Sequence, residues 1–106
     1  MNFGRMNHRI QWAQQQQKRD EFGETSTELV GICTVCAWVQ PKQATRIQNQ
    51  VEHTIELLQA RTRYNLLFND YDQCYIIFNG NKYKVLTVID VDYARHEHLI
   101  TAERVL

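Results

Sequence analysis

The sequence predicts a mainly β domain. Three observations carry that expectation: a long alternating segment over residues 83–93, an Asn79-Gly80 dipeptide just ahead of it, and an apolar segment over 31–40 that runs into Pro41, the single proline. Alternation with a period of two marks a strand, and Asn-Gly between apolar runs marks a tight hairpin, because both residues tolerate positive φ.

Taken in chain order, the first candidate strand covers 9–15, with Ile10 and Trp12 on one face. The four glutamines at 14–17 read as its polar, solvated end. Asp20-Glu21-Phe22-Gly23-Glu24 is polar and turn-like. The segment 31–40 is apolar on both faces: Cys33, Val35, Ala37 and Val39 on one, Ile32, Cys36 and Trp38 on the other. Such a strand is central or wrapped in a barrel, and Pro41 should end it by removing a ladder donor.

Residues 43–66 are ambiguous, since Ile47, Val51, Ile55, Leu58 and Leu66 recur at helical spacing among good helix formers. Local rules alone favour a helix there. Further on, Cys74-Tyr75-Ile76-Ile77-Phe78 forms a strand and turns through Asn79-Gly80-Asn81. The odd positions from Tyr83 to Tyr93 are apolar along one face, while the even face is apolar only in its middle. That describes a long strand buried on one side and partly covered on the other. After a polar turn at Ala94-Arg95-His96-Glu97, residues 98–105 return as a final strand.

A chain of 106 residues fits one domain with a modest core. Twelve Lys and Arg balance twelve Asp and Glu, which argues against tight, sequence-independent DNA binding but leaves room for a local basic patch. The N-terminal residues have no apolar run behind them, and no stretch approaches the length of a membrane span, so the expectation is a soluble protein made in the cytoplasm. Three cysteines should be reduced thiols.

Residues that resemble chemical motifs have stronger structural readings. Cys33-Thr34-Val35-Cys36 has zinc or redox spacing, but positions i and i+3 of a strand point to opposite faces, and no second pair exists. Small buried hydrophobes are the better reading, so no metal or cofactor is expected. His8, His53, His96 and His98 are scattered, with His96 and His98 read as exposed turn residues. Asp90 and Asp92 share the even face of the long strand but sit where its apolar character runs out, as solvated strand ends do. The only serine, Ser26, lacks a nucleophile-elbow context, and no glycine-rich phosphate loop is present. No nucleophile, base and orienting group come together, so an enzyme is not expected. Arg61 and Arg63, with Arg46, could form a basic patch for DNA phosphates or an acidic partner; they read equally well as surface residues or interface anchors.

The order of elements resembles the head–tail joining (head–tail adaptor, stopper or head-closure) proteins of siphophages. Gly4-Arg5-Met6-Asn7-His8-Arg9-Ile10 is similar to the family's opening G-x-hydrophobic-x-x-R-I, and Asp20-Glu21-Phe22-Gly23 to its D-x-x-G. Val35-Cys36-Ala37-Trp38-Val39-Gln40-Pro41 resembles V-W-A-x-hydrophobic-x-P, with Cys36 where the family carries Trp and Trp38 two places later. Ala60-Arg61-Thr62-Arg63 resembles the arginine strand, Phe78-Asn79-Gly80-Asn81-Lys82-Tyr83-Lys84-Val85 the Y-x-G-x-x-Y-x-I hairpin, and Val88-Ile89-Asp90-Val91-Asp92 the I-x-D-x-D strand. Leu99-Ile100-Thr101-Ala102-Glu103 resembles the terminal strand.

The resemblance implies a small β-barrel or β-sandwich of about six strands, one domain over 1–106. A flexible N-terminal arm would occupy 1–7, and a mobile loop 41–53 would join the second and third strands, with a strand over 54–63 in place of the locally favoured helix. It implies a ring, twelvefold by resemblance, that seals the DNA-filled head beneath the portal and adaptor and offers a surface to the tail-completion protein, with genomic double-stranded DNA passing through and no membrane involved. The polar residues Gln43, Thr45, Arg46, Gln48, Asn49 and Gln50 are then expected to line or close the channel, with Arg61 and Arg63 at an interface or facing DNA. Residues up to Asn7 and those from Glu103 to Leu106 are expected as docking arms at the two ends of the barrel, on a chain that is monomeric until it meets its partner ring. Two other readings are a tail-completion (tail terminator) protein, and a small barrel that binds single-stranded nucleic acid on Tyr75, Phe78 and Tyr83.

Overall fold

The computed structural model describes residues 8–105. Six strands follow one another: β1 (His8–Arg19), β2 (Thr25–Gln48), β3 (Val51–Arg63), β4 (Cys74–Phe78), β5 (Asn81–Asp90) and β6 (Glu97–Val105). Short 3-10 turns at Leu66–Asn69 and Val91–Tyr93 interrupt them. The strands pair antiparallel in the order β1-β2-β3-β6-β5-β4, and β4 returns to pair with β1, so the sheet closes into a barrel. The protein is mainly β, as its alternation predicts.

The core is the inner face of that barrel. Ile10 and Trp12 of β1, Ala37 of β2, Leu58 and Ala60 of β3, Ile76 of β4, Tyr83 and Val85 of β5, and Ile100 and Ala102 of β6 pack together. Phe68, from the first 3-10 turn, closes one end over Trp12, with ring centroids 4.4 Å apart. Cys33, Val35 and Val39 also face inward. The opposite face of β2 is more open than its apolar character suggests, since Ile32 and Cys36 are exposed.

Two expectations about β5 change. Its register against β6 shifts between Val85 and Thr87, leaving Leu86 unpaired in a bulge. A bulge adds one residue and turns the following side chains to the other face. Tyr83 and Val85 therefore point inward, but beyond the bulge Val88 pairs with the buried Ile100 while Ile89 is half exposed. The strand also ends at Asp90: Asp92 has φ 57° within the second 3-10 turn, so Asp90 and Asp92 do not share a strand face.

The segment expected as a loop over 41–53 is a two-stranded ribbon. β2 continues unbroken to Gln48 and β3 begins at Val51, with pairing from Trp38↔Arg61 to Gln48↔Val51. Asn49 (φ 52°) and Gln50 (φ 64°) make the tip, two positive-φ residues in succession as a tight hairpin needs. Asn79 (φ 51°) and Gly80 (φ 77°) repeat this geometry at the β4–β5 turn. Pro41 lies within β2 beyond Ala37, the last β2 residue with a described partner in β1, and pairs across to Leu58 of β3. The local helical spacing is overridden by pairing of β3 with β2 from Val51 to Arg61, joined by pairing with β6 from Leu57 onward.

Strand directions fix what sits at each end. β1, β3 and β5 run one way, and β2, β4 and β6 the other. One end therefore carries the β1–β2 turn and both 3-10 turns. The other carries the Asn49-Gln50 tip, the Asn79-Gly80 turn, the start of β1 and the finish of β6. The first described strand enters and the last described strand leaves at the same end. The expected arm over 1–7 and the residue Leu106 lie outside the described residues.

Candidate functional site

The barrel carries a ribbon at each end. The first, residues 16–28, is the part of the β1–β2 hairpin beyond the β4 partners of β1, and every residue in it is exposed. Its turn is built by Asp20, whose Oδ1 accepts from the backbone N–H of Phe22 (2.9 Å) and of Glu24 (2.8 Å). Gly23 takes φ +80°, a conformation L side chains rarely adopt. That pairing of an acceptor side chain with a left-handed glycine is the physical content of Asp20-Glu21-Phe22-Gly23. It leaves Phe22 88% exposed at the tip.

The second ribbon, residues 43–56, extends beyond the last β3–β6 pair, Leu57↔Glu103. Gln43, Thr45, Arg46, Gln48, Asn49 and Gln50 all lie on it and are exposed, as are Ile47 and Val51 near its tip. It is not free at its root. On one face Arg46 donates to both carboxylate oxygens of Glu103, at 3.2 and 3.1 Å. On the other, Arg104 donates to Glu56 at 2.8 Å and to Asn81 at 3.4 Å. The bond to Glu56 is also the main reason the Arg104 guanidinium is held even more firmly protonated than usual. Two bonded ion pairs, one on each face, tie the root of the ribbon to β6.

Arg61 and Arg63 sit together on the outer face of β3, but Arg46 does not join them. Its register partner is His53, eight residues from Arg61 along β3, or roughly 26 Å at strand rise. Arg61 is already engaged: its guanidinium lies 5.8 Å from the centre of the Trp38 ring and its Nη1 is 3.6 Å from Glu97. Glu97 is almost wholly buried, and its other oxygen has no hydrogen-bond partner among the described residues. Arg61 is thus held on the barrel wall by Trp38 and Glu97 while part of its side chain stays exposed.

His98 corrects another expectation. It is fully buried, while its neighbour His96 is exposed. His98 Nδ1 accepts from the Asn65 backbone N–H at 3.3 Å, Nε2 lies 3.1 Å from Asn69 Oδ1, and the ring stacks against Tyr64 at 4.4 Å. This arrangement fits the neutral ring with its proton on Nε2. Burial lowers the imidazole pKa, and the Asp90 carboxylate opposes that only in part. The role is structural: His98 fastens the 3-10 turn Leu66–Asn69 to β6. The sequence signal was present, because His98 continues the inward positions Ile100 and Ala102.

Of the three free thiols, Cys74 is buried, Cys33 half-buried and Cys36 exposed. Cys33 faces in and Cys36 out, so the C-x-x-C pair is split across the strand. Burial raises the Cys33 pKa; Cys74 is raised by burial first and then by Asp70 and Asp72, against a weaker opposing hydrogen bond with Trp12. The aromatic platform for single-stranded nucleic acid is not assembled, because Tyr83 is a core residue and Phe78 packs against the core and His8.

The described residues thus form a closed barrel with an exposed ribbon at each end, the second tied to β6 at its root. A family model described as phage head completion protein matches residues 1–105, and the chain belongs to that family, a family of structural proteins of the phage head. Among solved structures, a chain of the virion of a native gene transfer agent particle has the same fold, with a TM-score of 0.68 and 14% identity over 93% of this chain and 94% of that one. No curated protein matches.

Proposed function

We propose that this chain forms a ring in the neck of the virion, completing the DNA-filled head and providing the surface to which the tail attaches. The observation that carries the reading is the second ribbon, a polar-tipped hairpin held at its root by the Arg46–Glu103 and Arg104–Glu56 pairs. In a ring of copies, ribbons fixed at one angle would converge on the axis. Gln43, Thr45, Gln48, Asn49 and Gln50 would then line or close the channel through which genomic double-stranded DNA passes.

The chemistry suits a conduit. Amide and hydroxyl side chains hydrogen-bond to neighbouring copies or to water without gripping phosphates, and Arg46 is neutralised by Glu103. A chain of zero net charge does not retard moving DNA as a basic one would. The portal or adaptor ring on one side and the tail-completion protein on the other are the partners this reading requires. Assembly of the ring belongs to the host cytoplasm.

The test shortens the ribbon without breaking the barrel. Residues 44–55 are replaced by Asn-Gly, leaving Gln43 paired with Glu56 as the closing pair. The expected result is a folded chain that supports assembly of heads which then lose their DNA. Heads that keep their DNA would count against the channel role. If the chain is instead found only on purified tails, it is a tail-completion protein.

A further inference from the structure

The first ribbon is exposed on both faces, yet an isolated two-stranded ribbon is marginal in water. Its tip gathers Asp20, Glu21 and Glu24 with no cation among residues 20–24, around the exposed ring of Phe22. Farther down, Lys18 is matched by Glu28 at 3.9 Å. With Arg19 the one cation beside these three acids, the tip presents an aromatic ring inside a net acidic collar.

The barrel wall formed by β1, β4 and β5 has the complementary character. Two rows of paired residues cross it: Gln11↔Ile77↔Lys82, and Ala13↔Tyr75↔Lys84. Arg9 lies two residues before Gln11 on the same outer face. Arg9, Lys82 and Lys84 are exposed, and none has an ion pair within 4.0 Å among the described residues. Ile77 and Tyr75 lie half-buried between them, and the Lys82 ammonium stands 5.7 Å from the centre of the Tyr75 ring. The nearest acid across the sheet, Glu103 opposite Lys84, is already held by Arg46. Asp70 and Asp72 border the depression beyond Lys84 and limit the basic wall on that side.

We infer that the acidic, Phe22-bearing tip of one copy docks on the Arg9–Ile77–Lys82 wall of the next. This rests on the ring proposed above and identifies the contact that builds it. The two surfaces lie on different parts of the molecule, so the contact is head-to-tail, the kind that closes into a ring when its rotation allows. Phe22 would sit on Ile77 and Tyr75 while Glu21 and Glu24 meet Arg9 and Lys82. Asp20 would stay committed to its own turn. Opposite charges at a rim steer association and fix register.

The test is a charge exchange in full-length protein, supplied in trans to a phage whose own copy of the gene is interrupted. Glu21→Lys with Glu24→Lys, and separately Arg9→Glu with Lys82→Glu, should each lower the titre of joined particles at least tenfold. All four together should recover most of it, which a folding defect could not do. A second measurement places cysteines at Phe22 and Ile77 in a Cys36→Ser background, and mild oxidation of particles should then give a ladder of cross-linked oligomers. Wild-type titres from both charge-reversed pairs, or a single band after oxidation, would overturn this contact while leaving the head-completion role standing. Joined, DNA-filled particles from the interrupted phage with nothing supplied would instead overturn the role itself.

Discussion

Arg46 grips Glu103 through both guanidinium nitrogens, at 3.2 and 3.1 Å, across the root of the second ribbon. Both side chains are partly solvated, so the pair adds little to global stability, on the order of 0.2–1 kcal/mol. Its effect is on aim. Glu103→Gln should leave the unfolding midpoint nearly unchanged while amide exchange in residues 44–55 speeds up. Exchange mass spectrometry reads this directly, and unchanged protection would mean that backbone pairing alone holds the ribbon.

At the tip of that ribbon, Gln50 adopts φ 64°, where a side chain is strained and glycine is not. Gln50→Gly should therefore stabilise the hairpin, by up to about 1 kcal/mol once the added freedom of the unfolded chain is subtracted. Urea unfolding should show the gain. A loss would indicate that the Gln50 side chain makes contacts worth more than its backbone strain.

Asp20 holds the opposite tip with two short bonds to backbone N–H groups. Asp20→Ala removes both, a loss of about 1 kcal/mol for a typical bond of this kind. Because the ribbon can open without unfolding the barrel, the loss should appear locally. The Phe22 and Glu24 amides should exchange several-fold faster, with the core amides unaffected.

His98 makes stability depend on pH. Its folded-state pKa lies below the free value of about 6.5. Between those two values the unfolded chain holds a proton that the folded one refuses, so stability falls as pH drops. It is complete above about pH 6.5 and declines below it, until the folded-state pKa is passed. His98→Gln should flatten this part of the profile; an identical slope in wild type and variant would exclude His98 as its source.

Much of the barrel was legible in the alternation of apolar residues. Ile10 and Trp12, the Asn79-Gly80 turn, and the inward series Ile100 and Ala102 are where their periodicity puts them. What failed was decided by partners distant in sequence. No local pattern announces the bulge at Leu86, because it is set by how β5 must curve against β6. The second ribbon is a strand pair because the long second half of β2 offers hydrogen bonds to β3 as far as Gln48↔Val51, and that outweighs the helical spacing of Ile47, Val51 and Ile55. Of the candidate site, the polar residues of the second ribbon could be named from sequence, but not their bracing. Arg46 and Glu103 are 57 residues apart in the chain and meet only when the barrel closes.

β2 is one strand of 24 residues. At about 3.3 Å per residue it would be roughly 79 Å long if straight, yet the whole molecule measures 51 Å in its longest direction. It must therefore coil around the barrel, serving β1 along its first half and β3 along its second. Both ribbons are thus branches of a single continuous filament, like the two free ends of one wound spring. A strand cannot slide by one residue without turning every side chain over. The registers of the two ribbons are therefore both written on β2, and neither can slip by a residue without turning over side chains of the strand that the other shares.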